Sequence, residues 1–167
     1  VPKSMDRSIL LVEDDKDIRE LLRTLFQLQG YNVNIAGNGQ EALDFLLRDE
    51  HPSVILLDLM MPVMSGQQFC EIRKASPDLL KIPVVILSAD TTAAQKAPSL
   101  GANAGLTKPV DFGDLVKLID KICDDQGDSD DTLMDDGYLT NTENTLKHNV
   151  FIDNAPFDPA ANVILKD

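Results

Sequence analysis

Residues 54–58 read Val-Ile-Leu-Leu-Asp, an uninterrupted apolar run that ends in a carboxylate. A run of this kind is typical of a strand buried on both faces of a parallel sheet. Similar short runs stand at Ile9–Val12, Val84–Leu87 and Ala104–Thr107, and Tyr31–Ala36 alternates as a strand does. The sequence therefore predicts five strands in series.

The segments between these runs carry helical patterns. Apolar residues follow the i, i+3, i+4, i+7 spacing between Ile18 and Phe26, and Gly30 is placed to end that helix in the left-handed conformation. Asn38 with Glu41, and Ser65 with Gln68, resemble capping boxes that open two further helices, the second running to about Ala75.

Two more helices complete the alternation. Pro98 lies inside the weak pattern at residues 91–100, so we expect that helix to be short, kinked or broken. A last helix is marked by Leu115, Leu118, Ile119 and Ile122.

Regular alternation of strand and helix predicts an α/β fold in which helices cover both faces of a parallel sheet. The expected architecture is a flavodoxin-like, doubly wound (βα)5 sheet of order 2-1-3-4-5.

The acidic charge is concentrated at the C-terminal end. The net charge is −13 over 167 residues, of which residues 124–167 carry −9 and residues 1–123 only −4. We expect a folded domain at 8–123, an N-terminal extension or cloning scar at 1–7, and an acidic linker and tail at 124–167. Short apolar runs at 150–152 and 163–165 predict that residues 138–167 bind the body or a neighbouring chain.

Several function classes are disfavoured by composition. The chain lacks the basic face that binding to nucleic acid requires, so we expect no nucleic-acid partner for this chain alone. No run approaches a membrane span, and no signal peptide is evident, which predicts a cytoplasmic protein. Cys70 and Cys123 form no metal or redox motif and are expected to be idle thiols.

Polar residues gather just past the carboxyl ends of the predicted strands: Glu13, Asp14, Asp58, Ser88 and Lys108. Ligand sites in open α/β sheets lie at those ends, where the strand order reverses. Three converging carboxylates need a compensating cation or raised pKa values, and a set of oxygen ligands suits Mg²⁺ or Mn²⁺. A carboxylate can also attack phosphorus, with a lysine and a metal to offset the phosphoryl charge. The pattern therefore predicts a metal-assisted phosphoryl acceptor.

Three other interpretations of these residues are less consistent with the sequence. Glu13, Asp14 and Asp15 could simply complement a helix dipole, although that does not explain Asp58. A flavin- or nucleotide-binding protein of the same fold would need a Gly- or Ser/Thr-rich loop after the first strand. A phosphatase similar to haloacid dehalogenases would need a second acid two residues after Asp58, where Met60 stands.

Four motifs resemble the response-regulator receiver domains of two-component signalling. They are Ile-Leu-Leu-Val-Glu-Asp-Asp, Leu-Leu-Asp-Leu-Met-Met-Pro, Val-Val-Ile-Leu-Ser-Ala and Leu-Thr-Lys-Pro, within residues 8–123. The resemblance implies that Asp58 is phosphorylated by a histidine kinase or phosphotransfer protein and that the domain signals to a downstream protein target. It also implies slow self-catalysed dephosphorylation, and it leaves a homodimer and a degenerate, phosphorylation-independent interaction module as open alternatives.

The resemblance also assigns roles residue by residue. Asp14 and Asp58 would ligate the metal directly, Glu13 would act through water, and the Met60 backbone carbonyl would complete the protein ligands. Ser88 and Lys108 would contact the phosphoryl group, and Pro109 would fix the loop after Lys108. One position departs from the pattern: Gly105 stands three residues before Lys108, where many relatives carry the aromatic residue that couples phosphorylation to output.

Overall fold

The computed structural model describes residues 6–48, 51–127 and 151–152. The strands are β1 Ser8–Val12, β2 Asn32–Ala36, β3 Val54–Asp58, β4 Val84–Ser88, β5 Ala104–Thr107 and β6 Phe151–Ile152. The helices are α1 Lys16–Leu28, α2 Gly39–Leu46, α3 Gly66–Lys74, α4 Pro77–Leu80, α5 Thr91–Gln95 and α6 Phe112–Gly127, with a 3-10 turn at Pro98–Leu100.

The five predicted strands form a parallel sheet of order β2-β1-β3-β4-β5, as expected from the sequence. The fold class and strand order are thereby confirmed. A sixth strand, which the sequence did not predict, extends the sheet. Phe151 of β6 lies opposite Gly105, and Ile152 lies opposite Ala104, so β6 runs antiparallel to β5.

Apolar side chains alternate between the two faces of the sheet. Leu10, Ile55 and Ile86 pack with Phe69 of α3 on one face. Ile9, Leu56 and Val85 on the other face pack with residues of α1 and α6 that include Phe26 and Ile119. Both faces are covered, which is why the central strands tolerate almost no polar residue before their carboxyl ends.

Most of the helix ends and caps that the sequence predicts are confirmed. Gly30 has a φ of 91° after the end of α1, and Ser65 with Gln68 forms a complete capping box at α3. Asn38 caps α2 at the amide of Glu41, but the Glu41 carboxylate instead accepts from the amide of Gly37, so that capping box is incomplete. Pro98 breaks its helix as predicted, into α5 and the 3-10 turn.

The last helix extends beyond the body that we expected to end at residue 123. Helix α6 continues to Gly127, and the guanidinium of Arg7 forms ion pairs with Asp120 and Asp124 on it. Most of the predicted tail, residues 128–150 and 153–167, lies outside the described residues. Among the helices that the structure describes, none is long and apolar enough to cross a membrane.

Candidate functional site

Polar side chains from the ends of four neighbouring strands lie together at the carboxyl end of the sheet. Asp58 is the last residue of β3 and Ser88 the last of β4, while Glu13 and Asp14 directly follow β1 and Lys108 directly follows β5. Strands β1 and β3 are hydrogen-bonded neighbours, with Val12 opposite Leu57. The parallel register therefore places these side chains at the point where the order of the sheet reverses.

Three carboxylates converge at this end of the sheet. One side-chain oxygen from each of Glu13, Asp14 and Asp58 lies within 4.8 Å of the others. Glu13 and Asp58 are only 3% and 8% exposed, whereas Asp14 is exposed to solvent. A small, hard divalent cation that keeps some of its waters fits such a set of oxygen ligands, because one side of the cluster remains open.

Lys108 places its ammonium group between two of these carboxylates. Its Nζ lies 2.9 Å from Glu13 Oε2 and 3.3 Å from Asp58 Oδ2. Burial lowers the pKa of Lys108, but the hydrogen bond to Glu13 and the charges of Asp58 and Glu13 outweigh burial and leave that pKa raised. Lys108 therefore remains a cation and offsets part of the carboxylate charge.

Glu13 experiences the opposing effects of burial and its cationic neighbour. Burial raises its pKa, the hydrogen bond and charge of Lys108 lower it, and the nearby charge of Asp58 raises it again, so that the net pKa is raised. The other carboxylate oxygen, Oε1, accepts a hydrogen bond from the Asp15 amide at 3.1 Å. The Glu13 carboxylate is thus held by a backbone amide on one oxygen and by Lys108 on the other.

Backbone groups hold Asp58 in a similar manner. Its Oδ1 accepts a hydrogen bond from the Met60 amide at 2.9 Å. The loop beyond it returns tightly, because the Gly66 amide donates to the Leu59 carbonyl and a Cβ on Gly66 would lie 2.3 Å from the Asp58 carbonyl oxygen. Only glycine fits there, and α3 therefore begins directly against the end of β3.

Ser88 is fully buried beside this cluster. Its Oγ accepts a hydrogen bond from the Asp90 amide at 3.1 Å, and its carbonyl accepts one from the Lys108 amide at 2.8 Å. The first bond holds the turn after β4, and the second joins the end of β4 to the segment that carries Lys108. Gly105, in contrast, lies within β5 and away from the carboxylates, where a Cβ would stand 2.2 Å from the Ala94 carbonyl oxygen of α5.

Comparison with known proteins assigns this arrangement to a family. The family model for the response regulator receiver domain matches residues 9–120. The chain belongs to the response regulator receiver family. The receiver domain is 36% identical over 111 residues to the response regulator MprA of Mycolicibacterium vanbaalenii, covering 65% of this chain and 46% of that protein. It thus spans about half the length of the curated relatives that it matches.

Solved structures agree with this assignment. The receiver domain of the Francisella response regulator 1452 aligns with a TM-score of 0.64 and 30% identity, over 71% of this chain and 98% of that one. The response regulator TrrA of Thermotoga maritima, solved in complex with Mg²⁺ and BeF, aligns with a TM-score of 0.61 and 31% identity, over 70% and 98% of the two chains. The receiver domain is accordingly of the phosphorylatable, two-component type.

Sequence reasoning missed two side chains close to the receiver site. Arg19 Nη1 donates to the carbonyls of Glu13 at 2.7 Å and of Asp14 at 3.3 Å, which fixes the loop that presents both carboxylates. A basic residue one turn into α1, shortly after three acidic residues, is a pattern from which this contact with the loop could have been predicted. Thr107 lies opposite Ser88, and among the described residues its buried Oγ1 has no hydrogen-bond partner. No sequence pattern marked that hydroxyl.

Proposed function

We propose that this receiver domain accepts a phosphoryl group on Asp58 from a histidine kinase or phosphotransfer protein, with Mg²⁺ or Mn²⁺ as the cofactor. The observation that carries the proposal is the position of Asp58. Its carboxylate stands at the end of a central strand, beside two further carboxylates and 3.3 Å from the Lys108 ammonium. A carboxylate so placed is a nucleophile with a cation and a metal site next to it.

The residues present fit a divalent metal. Asp14 and Asp58 would hold it directly, Glu13 through water, and the Met60 carbonyl would supply a further oxygen. When bound, the metal neutralises charge on the phosphoryl oxygens and helps to orient them. The complex of TrrA with Mg²⁺ and BeF supports the same chemistry here, because that protein is a relative with 31% identity over most of the receiver domain.

The two oxygens of Asp58 have different roles in this proposal. Oδ1 is held by the Met60 amide, which leaves Oδ2 on the side of Lys108 as the attacking oxygen. A new bond forms between that oxygen and phosphorus while the bond to the donor atom breaks, and the donor keeps its electron pair. Lys108 then exchanges its carboxylate contacts for a phosphoryl oxygen, and the Ser88 hydroxyl donates to another.

Exposed apolar side chains beside the site suit a protein donor. Ile18 and Leu21 in the first turns of α1 are 40% and 59% exposed, and Met60 and Val63 after β3 are 74% and 82% exposed. These residues lie on the helix that follows Asp14 and in the loop that follows Asp58, so they flank the acidic site, and exposed apolar side chains in these positions suit contact with a protein. We propose that the phosphodonor contacts these side chains, and that a downstream protein target receives the signal.

The central test is phosphorylation by a small-molecule donor. The protein is incubated with Mg²⁺ and acetyl phosphate, and intact mass is compared for wild type, Asp58→Asn and the control Asp78→Asn on α4. We expect one phosphoryl adduct in wild type and in the control, and none in Asp58→Asn. An adduct that survives in Asp58→Asn would contradict the assignment of Asp58. A wild-type protein without adduct would instead favour the degenerate, interaction-only receiver.

A further inference from the structure

The outer edge of β5 presents backbone groups that the parallel sheet does not pair. The Lys108 amide donates to the Ser88 carbonyl, toward β4. Backbone groups of successive strand residues face opposite neighbours, so Leu106 also faces β4, while Gly105 and Thr107 face outward. An exposed row of this kind is a template for pairing with any extended chain.

The structure shows what pairs with this edge. Phe151 lies directly opposite Gly105 in an antiparallel register, and Ile152 lies opposite Ala104. Because Gly105 directs its amide and carbonyl outward, the pair Gly105–Phe151 is the one that exchanges both backbone hydrogen bonds. The segment Val150-Phe151-Ile152 also consists of residues that favour strands, within a tail otherwise rich in Asp, Asn and Thr.

The chain is long enough for its own tail to reach this edge. Helix α6 starts near the end of β5 that carries the site and extends 16 residues, about 24 Å, toward the opposite end. Antiparallel β6 must enter from the end that carries the site. The 23 residues 128–150 can span up to about 76 Å, which is ample for that return. Attachment in the same chain gives the segment a high effective concentration compared with a second copy.

We propose that the outer edge of β5 is a strand-addition site whose occupant is this chain's own segment at Phe151–Ile152, and that this tethered strand keeps the edge from pairing with a second copy. The proposal does not depend on phosphorylation. It concerns the strand that leads into Lys108, so that the tail contacts the sheet within three residues of the receiver site.

Hydrogen exchange of the full chain, followed by NMR for individual amides, tests the proposal. Phe151→Pro removes the amide that pairs with Gly105, whereas Val163→Pro makes the same change in the other apolar run of the tail. We expect exchange of the Gly105 amide to accelerate at least about 10-fold in Phe151→Pro and to remain unchanged in Val163→Pro. The Leu56 amide in the central strand β3 serves as the internal reference and should not change in either variant.

Sedimentation velocity at matched protein concentrations measures whether the chain associates with a second copy of itself. We expect a monomeric wild type, and greater self-association of Phe151→Pro because its β5 edge is open. Equal exchange of Gly105 in wild type and Phe151→Pro would overturn strand addition. Protection of Gly105 that rises with protein concentration, together with a wild-type dimer, would overturn the tethered occupant. An open edge in a strictly monomeric Phe151→Pro would overturn the protective role.

Discussion

Arg73 is a fully buried cation whose partners are backbone carbonyls. It is 1% exposed, and burial lowers its pKa. Its guanidinium donates to the carbonyls of Leu79 and Leu80 at 3.1 Å, of Ile82 at 2.5 Å and of Gly101 at 2.8 Å. One side chain thereby satisfies acceptors at the end of α4, in the loop before β4 and after the 3-10 turn. Acceptors left unpaired there would be costly.

We predict that Arg73→Lys lowers the free energy of unfolding by about 3 kcal/mol, because lysine has a single nitrogen and cannot reach all four carbonyls. Urea denaturation followed by circular dichroism measures the change. Lys81→Ala is the control, since Lys81 is 76% exposed and forms only a surface ion pair with Asp78. The control should change stability by less than about 0.5 kcal/mol. An equally small loss in Arg73→Lys would show that the carbonyl contacts contribute little.

At the scale of the element, Gly105 determines how closely α5 approaches β5. A Cβ at this position would lie 2.2 Å from the Ala94 carbonyl oxygen and 2.9 Å from the Ala97 side chain. Both atoms belong to the segment between β4 and β5, and Ala94 and Ala97 are completely buried. A larger side chain at this position, such as an aromatic ring, therefore does not fit unless α5 moves away from the sheet.

Gly105→Ala is predicted to destabilise the domain by about 2 kcal/mol, since the added methyl group meets helix backbone rather than a flexible side chain. The midpoint of urea unfolding measures the change, provided that the free energy of unfolding depends on urea concentration with the same slope in the variant and the wild type. Gly113→Ala is the matched control in α6, where the nearest contact is the Asp111 side chain at 3.1 Å, and it should be neutral or slightly stabilising. Equal midpoints for the two variants would mean that α5 adjusts without cost.

At the scale of the whole molecule, burial stabilises the neutral forms of Cys70 and Tyr31. Burial raises the pKa of Cys70 to about 11 from an ordinary value of 9.0. Tyr31 also has a raised pKa, first because of burial and then because its hydroxyl donates to Asp120 at 2.5 Å. A raised pKa in the folded state contributes stability that is complete below the unfolded value and is lost as the pH rises through the folded value.

We therefore expect the free energy of unfolding to fall between about pH 9 and pH 11, with about 2 kcal/mol of the loss arising from Cys70. Urea titrations at pH 8, 9.5 and 11 measure the trend. Cys70→Ala removes this thiol and should flatten the pH dependence even though it lowers the absolute stability. An unchanged slope in that variant would assign the alkaline loss to other groups.

Much of the architecture was accessible from local sequence patterns. The apolar runs, the Ser65–Gln68 capping box, Gly30 and Pro98 each act on their own segment, so they predicted the elements. The strand order came from the flavodoxin-like arrangement that such an alternation of strand and helix favours, and the sheet has that order. The polar residues at strand ends were equally visible, because connectivity brings the carboxyl ends of parallel strands to one edge. The carboxylates of Glu13, Asp14 and Asp58 accordingly lie together.

Only the tertiary structure decided the contacts between distant segments. No local pattern encodes the distances that bring Lys108 to Glu13 and Asp58. The same is true of the hydrogen bonds from Arg73 to four carbonyls and of the pairing of β6 with β5. The same holds for Gly105, which the sequence marked as a missing aromatic and the structure explains by its contact with Ala94. Sequence determined the elements and the chemistry at their ends, because those follow from neighbouring residues. Packing determined which side chains share a site, because that depends on the folded chain as a whole.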